Sequence, residues 1–234
     1  MAITIDAQCS RILNVVAFLM LLVCMICAPV DAIMIPAGKV PDAGSVWIYN
    51  SNYGETRVEV LQVSAGADNT YSYRWRLQVA GLTYEEELVL TNKAVKASSC
   101  FVKAFGLYSD SFVYPENALV FALPLRQGQT WQWQGKVKHA KKTRQGQVNG
   151  KVLEETMVSV PAGTYSAYRI TLLRSDDFGT NHDITLWFNP EIGVIKAQGH
   201  LRWQGTVGAF QQLVGLTYFE VSLKEYRPNG DDGK

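Results

Sequence analysis

The chain predicts an all-β fold, and three observations carry that expectation. Polar and apolar residues alternate with a period of two along nearly every segment after residue 40. Gly, Asn, Asp and Pro separate those segments, and no window of twelve or more residues keeps a helical spacing. YSYRWRLQV, residues 71–79, shows the alternation most cleanly. Tyr71, Tyr73, Trp75, Leu77 and Val79 fall on one face, and Ser72, Arg74, Arg76 and Gln78 on the other. That is a strand with one dry side and one wet side.

The other segments follow in order. TRVEVLQV (56–63) comes before that strand. After it come LTYEEELVL (82–90), ALVFALPL (118–125), TWQWQGKVKH (130–139) and KVLEETMVSV (151–160). YSAYRITLL (165–173), DITLWF (183–188), GVIKAQ (193–198) and LTYFEVSLKEY (216–226) complete the series. The predicted architecture is a single curved antiparallel sheet, a half-barrel or flattened barrel of about ten strands, with an N-terminal signal helix ahead of it. Curling such a sheet hides its edges.

Two breaks read as hairpin turns. In VSVPAGTYSAYRI, Pro161 fixes φ at the first corner, Gly163 accepts a backbone that a side chain would resist, and Tyr165 starts the return strand. In WFNPEIGVIK, Pro190 stops one strand and Gly193 permits the reversal. A weak internal repeat joins Gly44, Trp47 and Tyr49 to Gly128, Trp131 and Trp133, with the same spacing in each copy. It suggests two related halves, starting near 41 and 123, within one domain spanning 33–227. The tail, 228–234, has turn formers and charge but nothing to bury, and is predicted to be disordered.

Residues 1–32 read as a secretory signal peptide. Arg11 precedes an uncharged apolar run from Ile12 to Val30, and Val30-Asp31-Ala32 ends it with small residues. An uncleaved membrane anchor or a lipoprotein is the alternative, although bulky residues precede Cys24 and Cys27. The expected location is exported, periplasmic or extracellular. Past the leader only Cys100 remains, so no internal disulfide forms, and its apolar surroundings predict a buried, inert thiol. The net charge is +1, which gives no general case for nucleic acid.

Three separated motifs together resemble an uncharacterised family of bacterial exported proteins and lipoproteins. Pro124, Leu125, Gly128 and Trp131 form a Pro-Leu-x-x-Gly-x-x-Trp element. Val160, Pro161, Ala162, Gly163 and Thr164 form a Val-Pro-Ala-Gly-Thr hairpin. Trp187, Phe188, Pro190, Gly193 and Lys196 form the third element, Trp-aromatic-x-Pro-x-x-Gly-x-x-Lys. The resemblance covers about 123–198 and implies an extracytoplasmic β-rich domain of unknown activity. It transfers no catalytic residue.

Motifs for chemistry are sparse. His139, His182 and His200 lie in three different segments, and the SDDFGTNHD stretch around His182 and Asp183 reads as a solvated hairpin loop rather than a metal site. There is no Gly-x-Ser-x-Gly elbow. Glu85 and Glu87 share a strand face that reads as solvated, with Glu86 opposite. No catalytic residue, metal or cofactor is therefore expected, and a non-enzymatic protein is.

Two groups remain as candidate binding residues. Trp47, Tyr49, Trp75, Trp131, Trp133 and Trp187 either fill the core or line a cavity for an apolar ligand such as lipid. Lys136, Lys138, Lys141, Lys142 and Arg144 put five cations and no anion into nine residues, suited to an anionic surface or simply to solvent. The expected partner is a lipid or an envelope protein, with assembly in the envelope as the second reading and a hydrolase with a dispersed site as the third.

Overall fold

A computed structural model describes residues 40–79, 81–104, 108–139, 142–177, 181–202 and 217–228. The expected signal helix, Lys141, Trp203 and the tail beyond Pro228 lie outside the described residues.

The alternating segments form twelve strands: β1 (Val46–Ser51), β2 (Gly54–Ala65), β3 (Tyr71–Val79), β4 (Leu82–Leu90), β5 (Ala94–Ala104), β6 (Tyr108–Ala122), β7 (Thr130–His139), β8 (Lys142–Val160), β9 (Gly163–Asp176), β10 (Asn181–Asn189), β11 (Gly193–Arg202) and β12 (Tyr218–Arg227). Each pairs antiparallel with its chain neighbours, and β12 returns to β1, closing a barrel. The all-β, antiparallel expectation holds, but two details change. In place of a half-barrel or flattened barrel of about ten strands the sheet closes into a barrel of twelve. The additions are β1 and β5, which pair along their length with both neighbours.

Alternation decides what faces in. In β3, Tyr73, Trp75 and Leu77 are buried, while Arg74 and Gln78 are exposed. In β4, Leu82, Tyr84, Glu86, Leu88 and Leu90 are all buried, so a carboxylate sits in the core face.

The predicted turns join adjacent strands. Pro161 and Ala162 link β8 to β9, with Gly163 at φ 138°. The Tyr165 hydroxyl donates to the Ala162 carbonyl at 2.8 Å, tying the return strand to its own turn. Pro190 lies in the β10–β11 turn, with Gly193 at φ 100°. There the Asn189 side-chain oxygen accepts from the amides of Glu191 and Ile192 at 2.8 and 3.0 Å.

The pairing scheme of β1–β6 recurs in β7–β12. Gly44 donates to Val60 O and Val60 N donates back to Ser45 O, at 2.8 and 3.0 Å. Gly128 donates to Val152 O and Val152 N donates back to Gln129 O, both at 2.9 Å. Both glycines have positive φ, 87° and 79°, where a side chain would be strained. A register shift then follows at Val60/Gln62 in β2 and at Val152/Glu154 in β8. A second follows at Glu87/Leu88 in β4 and at Trp187/Phe188 in β10. These shared shifts give a residue-by-residue correspondence between halves, in which Trp75, Glu86 and Cys100 match Ile170, Leu186 and Ala197.

One seam breaks the likeness. β12 pairs with β1 along the whole of β1, from Val46 to Ser51. Among the described residues β6 pairs with β7 through Phe112–His139 and Val113–Lys138 alone. Beyond those two pairs Trp131 bridges the seam, its indole N–H donating to Val120 O at 2.8 Å.

Candidate ligand-binding site

The six candidate aromatics do not line one cavity. Trp47, Tyr49 and Trp75 are fully buried at 0% exposure and Trp131 is nearly so at 7%. Trp47 donates to Ile192 O at 2.7 Å and stacks on Tyr226 at 5.0 Å between centroids. Tyr49 donates to Val194 O at 2.9 Å. These bonds explain how large amphipathic rings are buried cheaply: each polar tip finds a backbone carbonyl. Trp187 alternates with buried Leu186 and Phe188, so it faces outward, half-buried, with the Lys196 ammonium 5.4 Å from its ring centre. Trp133 alone of the six faces the barrel interior and keeps exposed surface.

Trp133 lies toward the end of the barrel where β7 turns into β8 and β9 into β10. Its ring meets Tyr114 edge-on at 6.3 Å, and nearby Phe112 and His139 stack at 4.5 Å. Gly135 and Gly146 make room for the indole, since a Cβ on Gly135 would sit 2.6 Å from Trp133 Cζ2. On the same rung, Trp133 pairs with Val148, Val148 with Arg174, and Arg174 with His182.

The basic stretch splits between two faces. Lys136 and Lys138 alternate with Gly135 and Val137 and are exposed on the outside, and Lys142 is exposed at the start of β8. Arg144 shares the inward face of Gly146 and Val148, and its Nη1 lies 4.0 Å from Asp176 Oδ2. The four described cations are therefore not one surface patch.

The expectation of a solvated loop around His182 and Asp183 is corrected. β10 starts at Asn181, which makes both of them strand residues, and His182 is 1% exposed inside the wall. Its Nδ1 accepts the Arg202 amide at 3.4 Å, leaving Nε2 as the protonated nitrogen of the neutral ring. Burial, with the adjacent Arg174 charge, pulls His182 down to about 3. Arg174 is pulled down to about 9 by burial, while the Asp176 carboxylate acts in the opposite direction. Alternation within a strand puts His182 on the same face as Ile184 and Leu186. The signal for an inward His182 was therefore present in the sequence, and the loop-like residues before it masked it.

A second polar cluster lies deeper, in the first half. Glu86, 1% exposed, sits between Trp75 on β3 and Cys100 on β5. Cys100 Sγ is 3.8 Å from the Tyr114 hydroxyl. Burial, and then the Glu86 charge, raises Tyr73; Tyr84 is raised by burial, Cys100, Glu86 and Tyr114. Among the described residues the Tyr73 hydroxyl and the Trp75 indole N–H have no hydrogen-bond partner and no accessible surface. Glu85, by contrast, faces out and takes Arg76 at 2.7 and 2.8 Å, and Glu87 is exposed. Among the described residues no three His, Cys, Asp or Glu side chains are grouped to hold a metal.

No family model matches the chain, and no curated protein matches it either. Two solved structures are similar in outline. One is a candidate lipoprotein from Parabacteroides distasonis, at 10% identity and TM-score 0.46, with 84% of this chain and 100% of that one covered. The other is a candidate exported protein with a YmcC-like fold from Bacteroides fragilis, at 11% identity and TM-score 0.48, with 84% and 99% covered. At those values the likeness carries no argument about function, and the reading of the site rests on its own residues.

Proposed function

We propose that the protein is an exported, non-enzymatic binding protein of the bacterial cell envelope that takes an apolar molecule into the barrel at the Trp133 end. The leader-like segment 1–32 supports export. The observation that carries the binding reading is Trp133 itself: an inward-facing indole, half-buried, beside Tyr114 and the Phe112–His139 stack. Elsewhere the barrel is filled by Trp47, Tyr49, Tyr73, Trp75, Phe121 and Phe188, so the described interior offers an aromatic contact surface mainly at this end.

The test uses N-phenyl-1-naphthylamine, a neutral apolar fluorophore. Its emission rises on mixing with the protein, and Trp133→Ala weakens the apparent affinity about tenfold, or ~1.4 kcal/mol. Failure of the dye to bind, or an unchanged affinity in the variant, removes the reading. A second reading, a protein-interaction component of the envelope, has its own observation. Phe101 and Val113 are 37% and 47% exposed on the outer faces of the paired strands β5 and β6.

A further inference from the structure

We infer that a groove on the outer wall of the barrel, across β7, β8 and β9, binds a neutral oligosaccharide, with a further sugar ring of the same chain packed on Trp187. The site is separate from the interior at Trp133 and does not depend on it.

The comparison between halves is the first argument. The groove has a volume of about 530 Å³ and is lined by Thr130, Gln132, Asn149, Lys151, Thr171 and Leu173. By the register that the halves share, Asn149, Lys151 and Thr171 stand where Arg57, Glu59 and Arg76 stand in the first half. There the long side chains hold one another or a neighbour: Arg57 reaches Glu59 at 3.4 Å, and Arg76 takes Glu85 at 2.7 Å. The fold therefore accepts ion-paired side chains at this place and does not itself require the shorter Asn149 and Thr171. Those shorter residues leave a concave polar surface where the other half has a filled one.

The lining is the second argument. Thr130, Gln132, Asn149 and Thr171 are uncharged and can each donate and accept a hydrogen bond, as sugar hydroxyls do. Nearby charges balance. Lys151 lies on one side, and Asp183, which pairs with Leu173, lies exposed on the other. Toward Trp187, Lys196 meets Glu220 at 2.7 Å and Arg169 meets Glu154 at 3.3 Å. A surface balanced in this way favours neither a polyanion nor a polycation.

The third argument is the position of Trp187. Thr171 pairs with Thr185, and Trp187 is two residues further along β10 on the same outward face. Strand geometry puts it about 8 Å from Thr171. Its ring is half-buried, with the Lys196 ammonium 5.4 Å from the centre. The C–H face of a sugar ring packs on an indole while its rim hydroxyls reach polar neighbours.

Isothermal titration of the full chain with maltohexaose, cellohexaose, the hexamer of N-acetylglucosamine and the acidic hexagalacturonate tests this. At least one of the three neutral sugars binds, and hexagalacturonate binds at least tenfold more weakly than that one. Asn149→Arg/Lys151→Glu, which copies Arg57 and Glu59, fills the groove and weakens the neutral sugar at least tenfold without lowering the thermal midpoint. Trp187→Ala weakens it about tenfold, and should that variant not fold, the filling variant decides alone. Arg74→Gln, on the outer wall of the first half, changes nothing. Failure of all three neutral sugars to bind overturns the inference. Tighter binding of hexagalacturonate, indifference to the filling variant, or an equal loss in Arg74→Gln overturns it as well. Fluorophore binding at Trp133 is read separately, so either site can fail without the other.

Discussion

The two halves of the barrel share a pairing scheme but place their polar groups differently. In β1–β6 the end rung is apolar, Val79 against Leu82, and the carboxylate is deep, at Glu86 between Trp75 and Cys100. In β7–β12 the deep positions are Ile170, Leu186 and Ala197, and the end rung carries Arg174 and His182. One backbone scheme therefore supports a buried carboxylate in one half and an inward Arg174–His182 pair at the end of the other. Closure of the barrel does not depend on which position is polar, so the polar residues at each need a separate explanation.

The tryptophans make the same point. Trp47 and Trp131 occupy matching positions, with Val58 and Gly150 as their respective partners across the strand pair. Trp47 reaches Ile192 O and stacks on Tyr226, beside a complete β12–β1 ladder. Trp131 lies at the sparsely paired β6–β7 junction, bonds Val120 O and sits over Gly150. A glycine is needed only where the indole lies across the neighbouring strand's backbone, as Trp131 does over Gly150.

The largest expected effect comes from exchanging the deep residues. Leu186→Glu buries a carboxyl among Ile170, Ile184 and Ala197, without the tyrosines that surround Glu86, and costs about 4 kcal/mol or more. The reciprocal Glu86→Leu is neutral or stabilising by about 1–3 kcal/mol. Urea unfolding of both variants checks the pair. A cost below about 1 kcal/mol for Leu186→Glu would mean that the two environments do not differ.

Next comes Gly150→Ala. Its Cβ would lie 2.0 Å from Trp131 Cε2, a conflict that neither the buried ring nor the strand absorbs easily. The expected loss is about 3 kcal/mol by thermal unfolding. Pairing it with Trp131→Leu should recover most of that loss, and strict additivity would show that Trp131 is not the obstacle.

The smallest effect separates the end rungs. The folded chain holds His182 near 3, below its ordinary value of 6.5. Below pH 6.5 the unfolded chain takes up a proton that the folded one refuses, so stability falls as pH drops toward 3. The loss is about 1.4 kcal/mol per pH unit, or about 2 kcal/mol between pH 6.5 and 5. His182→Leu, copying Leu82, should remove that part of the slope. Identical slopes in wild type and variant would place the acid sensitivity elsewhere.

Much of the fold was legible in the residues. Alternation in 71–79 identified Tyr73, Trp75 and Leu77 as inward, and the VPAGT and NPEIG turns marked two hairpins. Gly44 and Gly128 signalled the repeat. The inward turn of Glu86 and His182 was also latent in strict alternation, but neighbouring acidic or turn-forming residues suggested solvent. The split of the basic stretch was less visible, because Arg144 lies across a hairpin from Lys136 and Lys138, and their relative faces depend on the turn between them.

Local chemistry along the chain determined strand periodicity, turn positions and the dry face of each strand, because those depend on residues within a few positions of one another. Closure into twelve strands, the sparse β6–β7 pairing and the placement of Trp133 and Arg174 on one rung were decided only by the tertiary structure. Each depends on register between strands, and register is fixed by bulges and side-chain packing summed around the whole barrel.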